Sequence, residues 1–565
     1  MEKSIQLWQE SEKEKAVAYL LKNGFIEKKC KDGLFFQIPL PFQKETIELS
    51  ILVPDNFPLS YPSVHISQNW FLKYPHIEKY SKEMGCKFCI YEPNEQPLIS
   101  SGELLIENTY IRAIDVVKEY ESSTSTDYVI DFFEEFDSYW SSKLKSIILD
   151  IDDLITMPTR LKAFNILVNN KSARPFMSQI AVTDDPEKII QRFARTDISI
   201  EEGEDAIFIP LEEGFSYPFP LTTNEMFKCF AKEGYIDWVN AQYQTLNMDS
   251  MVIFSIMIES KKHFTAFQFK KIDAQKRTKS FIPLLSRVRP LLLNPELERY
   301  KVERVDRKRV FQRSGNKTTI DICRIDPQIT IVGCGALGGS LALKLAKSGI
   351  RRFQLIDNDK FKYENIGRHI CNNQHIGMYK AEALKSFLLD HFPDCSIEPI
   401  NFDAIESIDV ISTSDLIIIA TGAEGALFQQ FLLNVKRLDK FFPPILCAWF
   451  EAGAIAGHSI LIDQNVVEDI AKTVEKLNVL KDEYIDQFNA KDVGCASNFS
   501  PYAFVDADFI TNITARMVIE YFMGSKVSDQ AWSMLINTNQ NKDKINDKYQ
   551  NLDDLTLIKR SISDV

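Results

Sequence analysis

The sequence predicts a multidomain protein, α+β at its N-terminus and α/β at its C-terminus, and three observations carry this reading. A strand, a glycine turn, a helix, a second strand and an acid follow one another between Ile329 and Asp357. Near the N-terminus an amphipathic stretch, Ile5 to Lys22, precedes short strand-like runs separated by Pro, Asn and Asp turns. With 565 residues the chain is too long for a single hydrophobic core.

The C-terminal unit is the most legible. The β-branched run Ile329 to Val332 leads into Gly333, Gly335 and Gly338, a helical stretch spans Ser340 to Ser348, and the apolar run Phe353 to Ile356 ends in Asp357. Glycines there permit a tight turn and let the backbone approach phosphate, while the helix N-terminus offers unpaired N–H groups to an anion. An acid about 20 residues past the glycines can accept from ribose hydroxyls. The rival is a purely structural βαβ unit with chance glycines. A nicotinamide-dependent dehydrogenase would share the turn and continue into further βαβ units. Here Asp359, Asn365, Arg368, His369 and Lys380 come next. Cations packed this closely behind the ribose acid suit a triphosphate, because Arg binds phosphate oxygens in a fork and Lys as a point charge. A lone histidine such as His369 is more often a hydrogen-bonded core or surface residue than a phosphate ligand.

Gly-x-Gly-x-x-Gly, Asp-x-Asp, Asn-x-x-Arg-His and a downstream Gly-x-x-Lys together resemble the ubiquitin-activating enzymes and their bacterial ThiF/MoeB-like relatives in thiamine and molybdopterin biosynthesis, over about Asp306 to Phe522. The resemblance implies a Rossmann-like adenylation domain that uses ATP and Mg²⁺. It places Asp357 on ribose, Asn365, Arg368 and Lys380 around the phosphates, and Asp359 near the reacting centre. It also implies an arginine upstream of the first strand that reaches the partner subunit's nucleotide in a homodimer. Arg313 is the best match and Arg309 the runner-up. The family usually carries a magnesium-binding Asp after its fourth strand. Here Gly422 stands at that place, with Glu424 as a possible substitute, so the metal ligand is unassigned.

Composition narrows the rest. Apolar content of 45% and charged content of 26% are ordinary for a globular protein, and a net charge of −13 argues against a general nucleic-acid or anionic-membrane binder. The opening MEKSIQLWQESEKEK has no apolar signal core, and no run reaches membrane-span length. Ten cysteines without framework spacing read as reduced thiols in a cytoplasm.

In the N-terminal segment, strand-like runs at Leu34–Pro39, Thr46–Val53 and Ser63–Ile66 lead to a Pro-rich corner, FPLSYP, then to KFCIYEP and a helix near Glu103 to Tyr120. This order resembles the ubiquitin-conjugating fold. The resemblance implies a thioester cysteine at Cys89, with Cys86 second. The usual His-Pro-Asn is absent, and Tyr74 to Ile77 occupies its place, with His76 as a candidate donor. Cys86 and Cys89 could instead be half a zinc site, although no second Cys-x-x-Cys exists in the chain, or simply buried thiols.

The middle of the chain carries no motif. Its runs AIFIPL and SMVIFSIMI read as strands of a connecting α/β domain. Beyond the nucleotide unit, Asp415 to Thr421 and the run PPILCAWFEAGAIAGHSILI read as further strands. The stretch Val466 to Asn489 reads as helical, and a long helix starts near Asp506. Between them Cys495 follows Gly494 among small polar residues, where an exposed thiol can become a thiolate nucleophile. It matches the loop in which activating enzymes keep their thioester cysteine. Cys371, Cys395 and Cys447 sit in or beside apolar runs.

The expected domains are 1–123, ubiquitin-conjugating-like; 124–293, connecting; and 294–565, adenylation. Their pairing resembles bacterial fusion proteins of anti-phage CBASS operons. That resemblance implies activation of the C-terminus of a partner nucleotidyltransferase, ligation to an amine, and an accompanying metallopeptidase that reverses it. Sulfur-carrier activation, which leaves the N-terminal domain unexplained, and an ATP-binding scaffold are the alternatives.

Overall fold

The computed structural model describes residues 2–30, 33–43, 45–71, 73–81, 84–91, 95, 97, 101–122, 129–134, 136–140, 146–151, 155–168, 176–193, 198–214, 219–243, 250–258, 261–269, 297–312, 317–402, 413–421, 443–462, 470–491, 498–524 and 529–565. Three large sheets follow one another along the chain.

The first contains β1 (Ile26–Lys28), β2 (Leu34–Phe42), β3 (Glu45–Val53), β4 (Ser63–Ile66), β5 (Ile77–Ser81) and β6 (Gly85–Phe88), all antiparallel in the order β1-β2-β3-β4-β6-β5. Ile47, Leu49, Ile51 and Val53 turn one face of β3 toward the core shared with the helices Glu2–Lys22 and Gly102–Ser122, while Leu52 packs with Phe35 and Met84 on the opposite face. Those helices meet closely. Glu12, nearly buried, accepts from the Gly102 amide at 2.7 Å, and a Cβ at Gly102 would overlap the Glu12 carbonyl oxygen.

The motif-free middle region, expected as a connecting α/β domain, combines a mixed sheet with the helices Pro186–Arg192, Thr223–Lys232 and Ile236–Tyr243. It contains β7 (Ser146–Asp150), β8 (Thr159–Val168), β9 (Phe176–Thr183), β10 (Ile198–Glu202), β11 (Ala206–Leu211), β12 (Met251–Ile258), β13 (Lys261–Phe269) and β14 (Leu297–Arg304). Long β8 pairs with β9 along one edge and with β10 and β11 along the other, so the sheet closes on itself through β12, β13, β14 and β7. Ile147, Leu149, Leu161, Val182, Phe208, Ile253 and Phe264 fill its interior. Outward-facing Ile207, Ile209, Val252, Phe254 and Phe267 belong to the same apolar cluster as the first sheet's core. Trp140, fully buried in the helix Phe136–Trp140, joins the two by donating to the Ala266 carbonyl at 3.1 Å.

The third sheet runs β17-β16-β15-β18-β19-β20-β23-β24. Its strands β15 (Gln328–Val332), β16 (Arg352–Ile356), β17 (Ser396–Ile400), β18 (Leu416–Ile419) and β19 (Ile445–Phe450) are mutually parallel. The strands β20 (Ala456–Ile462), β23 (Gln530–Leu535) and β24 (Leu557–Ser561) extend it antiparallel, and β21 (Ala490–Lys491) and β22 (Asn498–Phe499) form a separate small pair. Ile329, Ile331, Leu355 and Ile418 pack against the helices Ala336–Lys347, Lys380–His391 and Phe504–Phe522, while Val332, Ile356 and Ile419 pack on the opposite face. Strands buried on both faces explain the unbroken apolar runs. The expected helical stretch Val466 to Asn489 holds the short helix Ile470–Leu477 and a 3-10 segment, Asp482–Phe488.

Candidate active site

The strand order reverses beside β15, and the glycine turn lies at its C-terminal end, where open parallel sheets bind ligands. Gly333 takes φ +91°, and a Cβ on it would stand 2.8 Å from the Ala420 carbonyl oxygen of the neighbouring strand. Gly338 abuts the Gly333 carbonyl oxygen so closely that no side chain fits. Gly335, at the N-cap of the helix Ala336–Lys347, faces open space. Two glycines therefore shape the turn and one leaves room for a ligand.

Asp357 ends β16 and braces this turn. Its carboxylate accepts from the Cys334 amide at 2.8 Å and from the Asp359 amide at 2.9 Å. Burial pushes its pKa up, opposed by the Lys380 charge and by those two amides. Lys380 begins the helix Lys380–His391, and its ammonium lies 2.7 Å from Asp359 Oδ2 while its amide donates to the Asp359 carbonyl at 2.8 Å. Asn365 turns its Oδ1 to the Lys362 amide at 2.9 Å, which holds the intervening 3-10 turn Tyr363–Asn365.

His369 is a structural residue. Its Nδ1 accepts from the Cys371 amide at 3.0 Å, so Nε2 carries the proton and donates to the Cys334 carbonyl at 2.7 Å. Burial keeps this imidazole neutral by lowering its pKa. The ring thus ties the Asn-x-x-Arg-His segment to the glycine turn.

Residues remote in sequence complete the site, and no local pattern announces them. The Arg368 guanidinium lies 5.9 Å from the ring centroid of Tyr502, which packs edge-on against Phe450 at 4.2 Å. Asp508 accepts from Ser340 at 2.7 Å and pairs with Lys344 at 3.0 Å, clamping the helix Phe504–Phe522 to the helix that follows the glycines. A groove of about 620 Å³ opens along this junction, lined by Lys344, Ile366, His369 and Asp508 among others.

Gly333, Gly335, Gly338, Asp357, Asp359, Asn365, Arg368 and Lys380 thus follow the C-terminal ends of β15 and β16, two interior strands of the third sheet. Cys89 stands apart, just past β6 of the first sheet, half-buried, its amide donating to the His76 carbonyl at 2.8 Å. Cys86 is buried within β6. Arg309 is exposed on the helix Arg307–Gln312, which Asp306 starts by accepting from the Arg309 amide at 3.2 Å. Arg313, Gly422, Glu424 and Cys495 lie outside the described residues. Cys371 and Cys447 are buried thiols whose pKa values burial pushes up to about 12, which agrees with a packing role. Among the described residues no group of three or more His, Cys, Asp or Glu could hold a metal ion. No helix of those residues is long and apolar enough to cross a membrane.

This architecture and turn define a ThiF-type domain: residues 306–423 match the ThiF family. The chain is similar to the ATP-dependent ubiquitin transferase-like protein Cap2 of Vibrio cholerae, at 29% identity over 255 residues, covering 43% of this chain and 42% of that protein. Cap2 of Escherichia coli strain TW11681 is 30% identical over 205 residues, covering 34% of this chain and 33% of its own length. A probable molybdopterin-synthase adenylyltransferase of Porphyra purpurea is 33% identical over 103 residues, covering 18% of this chain and 27% of that protein. The chain therefore matches about two fifths or less of the length of these relatives. The likeness to the ThiF-containing activating enzymes and to a bacterial fusion of that kind, read from the residues, is borne out.

Proposed function

We propose that this chain is an ATP-dependent activating and conjugating enzyme that adenylates the C-terminal carboxylate of a protein substrate and ligates it to an amine. The observation that carries this reading is the cluster of Asp357, Asp359 and Lys380 around the glycine turn, with Arg368 alongside. In the first step a carboxylate oxygen of the substrate attacks the α-phosphorus of ATP. The bond to the β-phosphate oxygen breaks, and pyrophosphate leaves with the electron pair. Asp357 would hold the ribose hydroxyls. Arg368 and Lys380, with Arg313 from a second subunit of a homodimer, would stabilise the charge that develops on the phosphates. Magnesium enters only as the counter-ion of the triphosphate, with no protein ligand named.

The thiolate of Cys495 then attacks the acyl carbon and AMP departs, leaving a thioester. The Cys89 thiolate takes the acyl group by exchange, releasing the Cys495 thiolate. An amine finally attacks the Cys89 thioester, an amide forms, and the sulfur leaves as thiolate while the nitrogen gives up its proton. In this reading residues 1–123 act as the ubiquitin-conjugating-like part, 124–293 as the connecting part and 294–565 as the Rossmann-like adenylation part of a cytoplasmic enzyme. The resemblance to bacterial CBASS fusion proteins, read from the sequence, extends this reading to a nucleotidyltransferase as the substrate and a metallopeptidase as the reversing partner; the Cap2 proteins, named as ubiquitin transferase-like, support the transferase part.

The test is ATP–pyrophosphate exchange followed by intact mass under non-reducing conditions, with the candidate substrate present. Wild type should exchange and carry a thiol-labile adduct. Cys495→Ala should exchange and carry none, and Cys89→Ala should hold the adduct at one site. Exchange without any adduct would leave a sulfur-carrier-type adenylyltransferase. Nucleotide binding without exchange would leave a scaffold.

A further inference from the structure

The parallel ladder between β16 and β17 pairs Arg352 with Ser396 and, at its last step, Ile356 with Ile400. The next residues on the two strands are Asp357 and Asn401. The Asp357 amide donates to the Ile400 carbonyl at 3.1 Å, so the strands are still in contact as they leave the sheet. Adjacent strands lie about 4.8 Å apart and residues in register share a face, which puts Asn401 beside Asp357. Asn401 Oδ1 is buried and has no hydrogen-bond partner. Among the described residues no other buried side-chain oxygen or nitrogen of the third sheet is in that condition. A buried amide oxygen without a donor carries an unmet desolvation cost, which a donor brought in by a ligand would offset.

We propose that Asn401 reads the base of the bound nucleotide, its Oδ1 accepting a hydrogen bond from the 6-amino group of adenine. This rests on Asp357 being the ribose acid. The base hangs from the same sugar that Asp357 holds, so it lies within one ribose of that carboxylate, where Asn401 stands. Adenine offers a 6-amino donor beside a ring-nitrogen acceptor, and one asparagine amide offers the complementary acceptor and donor.

The test is direct binding of ATP and of purine riboside 5′-triphosphate, which lacks only the 6-amino group, to the full chain. Wild type is compared with Asn401→Ala and with Asn401→Leu, which keeps the branched outline of the side chain without its polar atoms. Wild type should bind ATP about tenfold more tightly than the deamino nucleotide, as loss of a donor to a buried acceptor implies. In the variants the two nucleotides should bind alike, with deamino affinity within about twofold of wild type. A preserved preference in a folded variant overturns the proposal, and so does a wild type that binds both nucleotides equally while still binding them well. If wild type binds neither nucleotide, the ribose-acid reading falls first and takes this proposal with it. Should both variants fail to fold, the wild-type ratio alone still decides against the proposal when it is near one.

Discussion

Lys380 and Asp359 are joined twice, by a side-chain ion pair of 2.7 Å and by a backbone hydrogen bond of 2.8 Å from the Lys380 amide to the Asp359 carbonyl. The Lys380 side chain is mostly covered whereas that of Asp359 is largely exposed, so the pair is a poised cation with an acid on its open side. Lys380→Met should lower pyrophosphate exchange by about a hundredfold, the scale of removing one preorganised charge at a reacting centre. Asp359→Asn should leave ATP affinity within about threefold and act chiefly on turnover, if the acid serves the reacting centre and not nucleotide binding. Separate measurement of kcat and KM for exchange checks both.

Tyr502 should act through Arg368. A cation over an aromatic ring contributes about 0.5–1 kcal/mol at an accessible site, so Tyr502→Leu is expected to weaken ATP binding about two- to fivefold. Tyr502→Phe should behave like wild type. In an Arg368→Ala background the Tyr502→Leu loss should vanish, and an additive result would assign Tyr502 a packing role only.

Two glycines three residues apart should respond differently to the same substitution. Gly338→Ala forces a methyl group into the Gly333 carbonyl, and it should lower the melting temperature and abolish nucleotide binding. Gly335→Ala meets nothing in the protein, so it should fold normally and yet bind ATP at least tenfold more weakly, because the phosphate needs that space. Thermal unfolding with and without ATP separates the two outcomes.

Cysteine reactivity should follow burial. Cys86 is 2% exposed within β6, and Cys334, Cys371 and Cys447 are buried with raised pKa values. Brief alkylation of the native protein should therefore label Cys89 at least tenfold faster than Cys86. Peptide mapping reads this directly, and equal labelling would remove the preference for Cys89 as the conjugating thiol.

His65, fully buried in β4, predicts an acid-sensitive first sheet. Desolvation, reinforced by Lys87 on the adjacent strand, brings its pKa down to about 4. In the unfolded chain an imidazole titrates near 6.5. Between those values the unfolded state binds a proton that the native state does not. Stability is therefore lost as pH falls from about 6.5 to about 4, by at most about 3 kcal/mol. His65→Leu should flatten that part of the pH dependence, read from denaturation midpoints by tryptophan fluorescence at pH 7 and at pH 4.5.

The parts of the molecule legible in its residues are those whose physics is local. Ile329 to Asp357 spells a βαβ unit because a strand buried on both faces needs a continuous apolar run and a tight turn against phosphate needs glycine; its parallel register, Ile331 opposite Leu355, came from the structure. Strand β4 falls at Ser63–Ile66, as its alternation indicates. The closed sheet of the middle region was not legible. Closure depends on β8 pairing along both edges with strands far apart in the chain, and hydrophobic alternation does not encode which edges meet. His369 is the hydrogen-bonded core histidine that its residue type suggests, but its two partners came only from the fold, since a motif position does not say where a ring's two nitrogens find partners.

Local sequence therefore determined the glycine turn and the acid and cations that follow it, each set by backbone conformation or charge within about fifty residues. Only the tertiary structure brought Tyr502 to Arg368, Asp508 to Lys344 and the end of β17 alongside Asp357. Those contacts arise when helices and parallel strands pack on a shared core, and the free energy that selects them is distributed over burial by the whole sheet and not written at any one position.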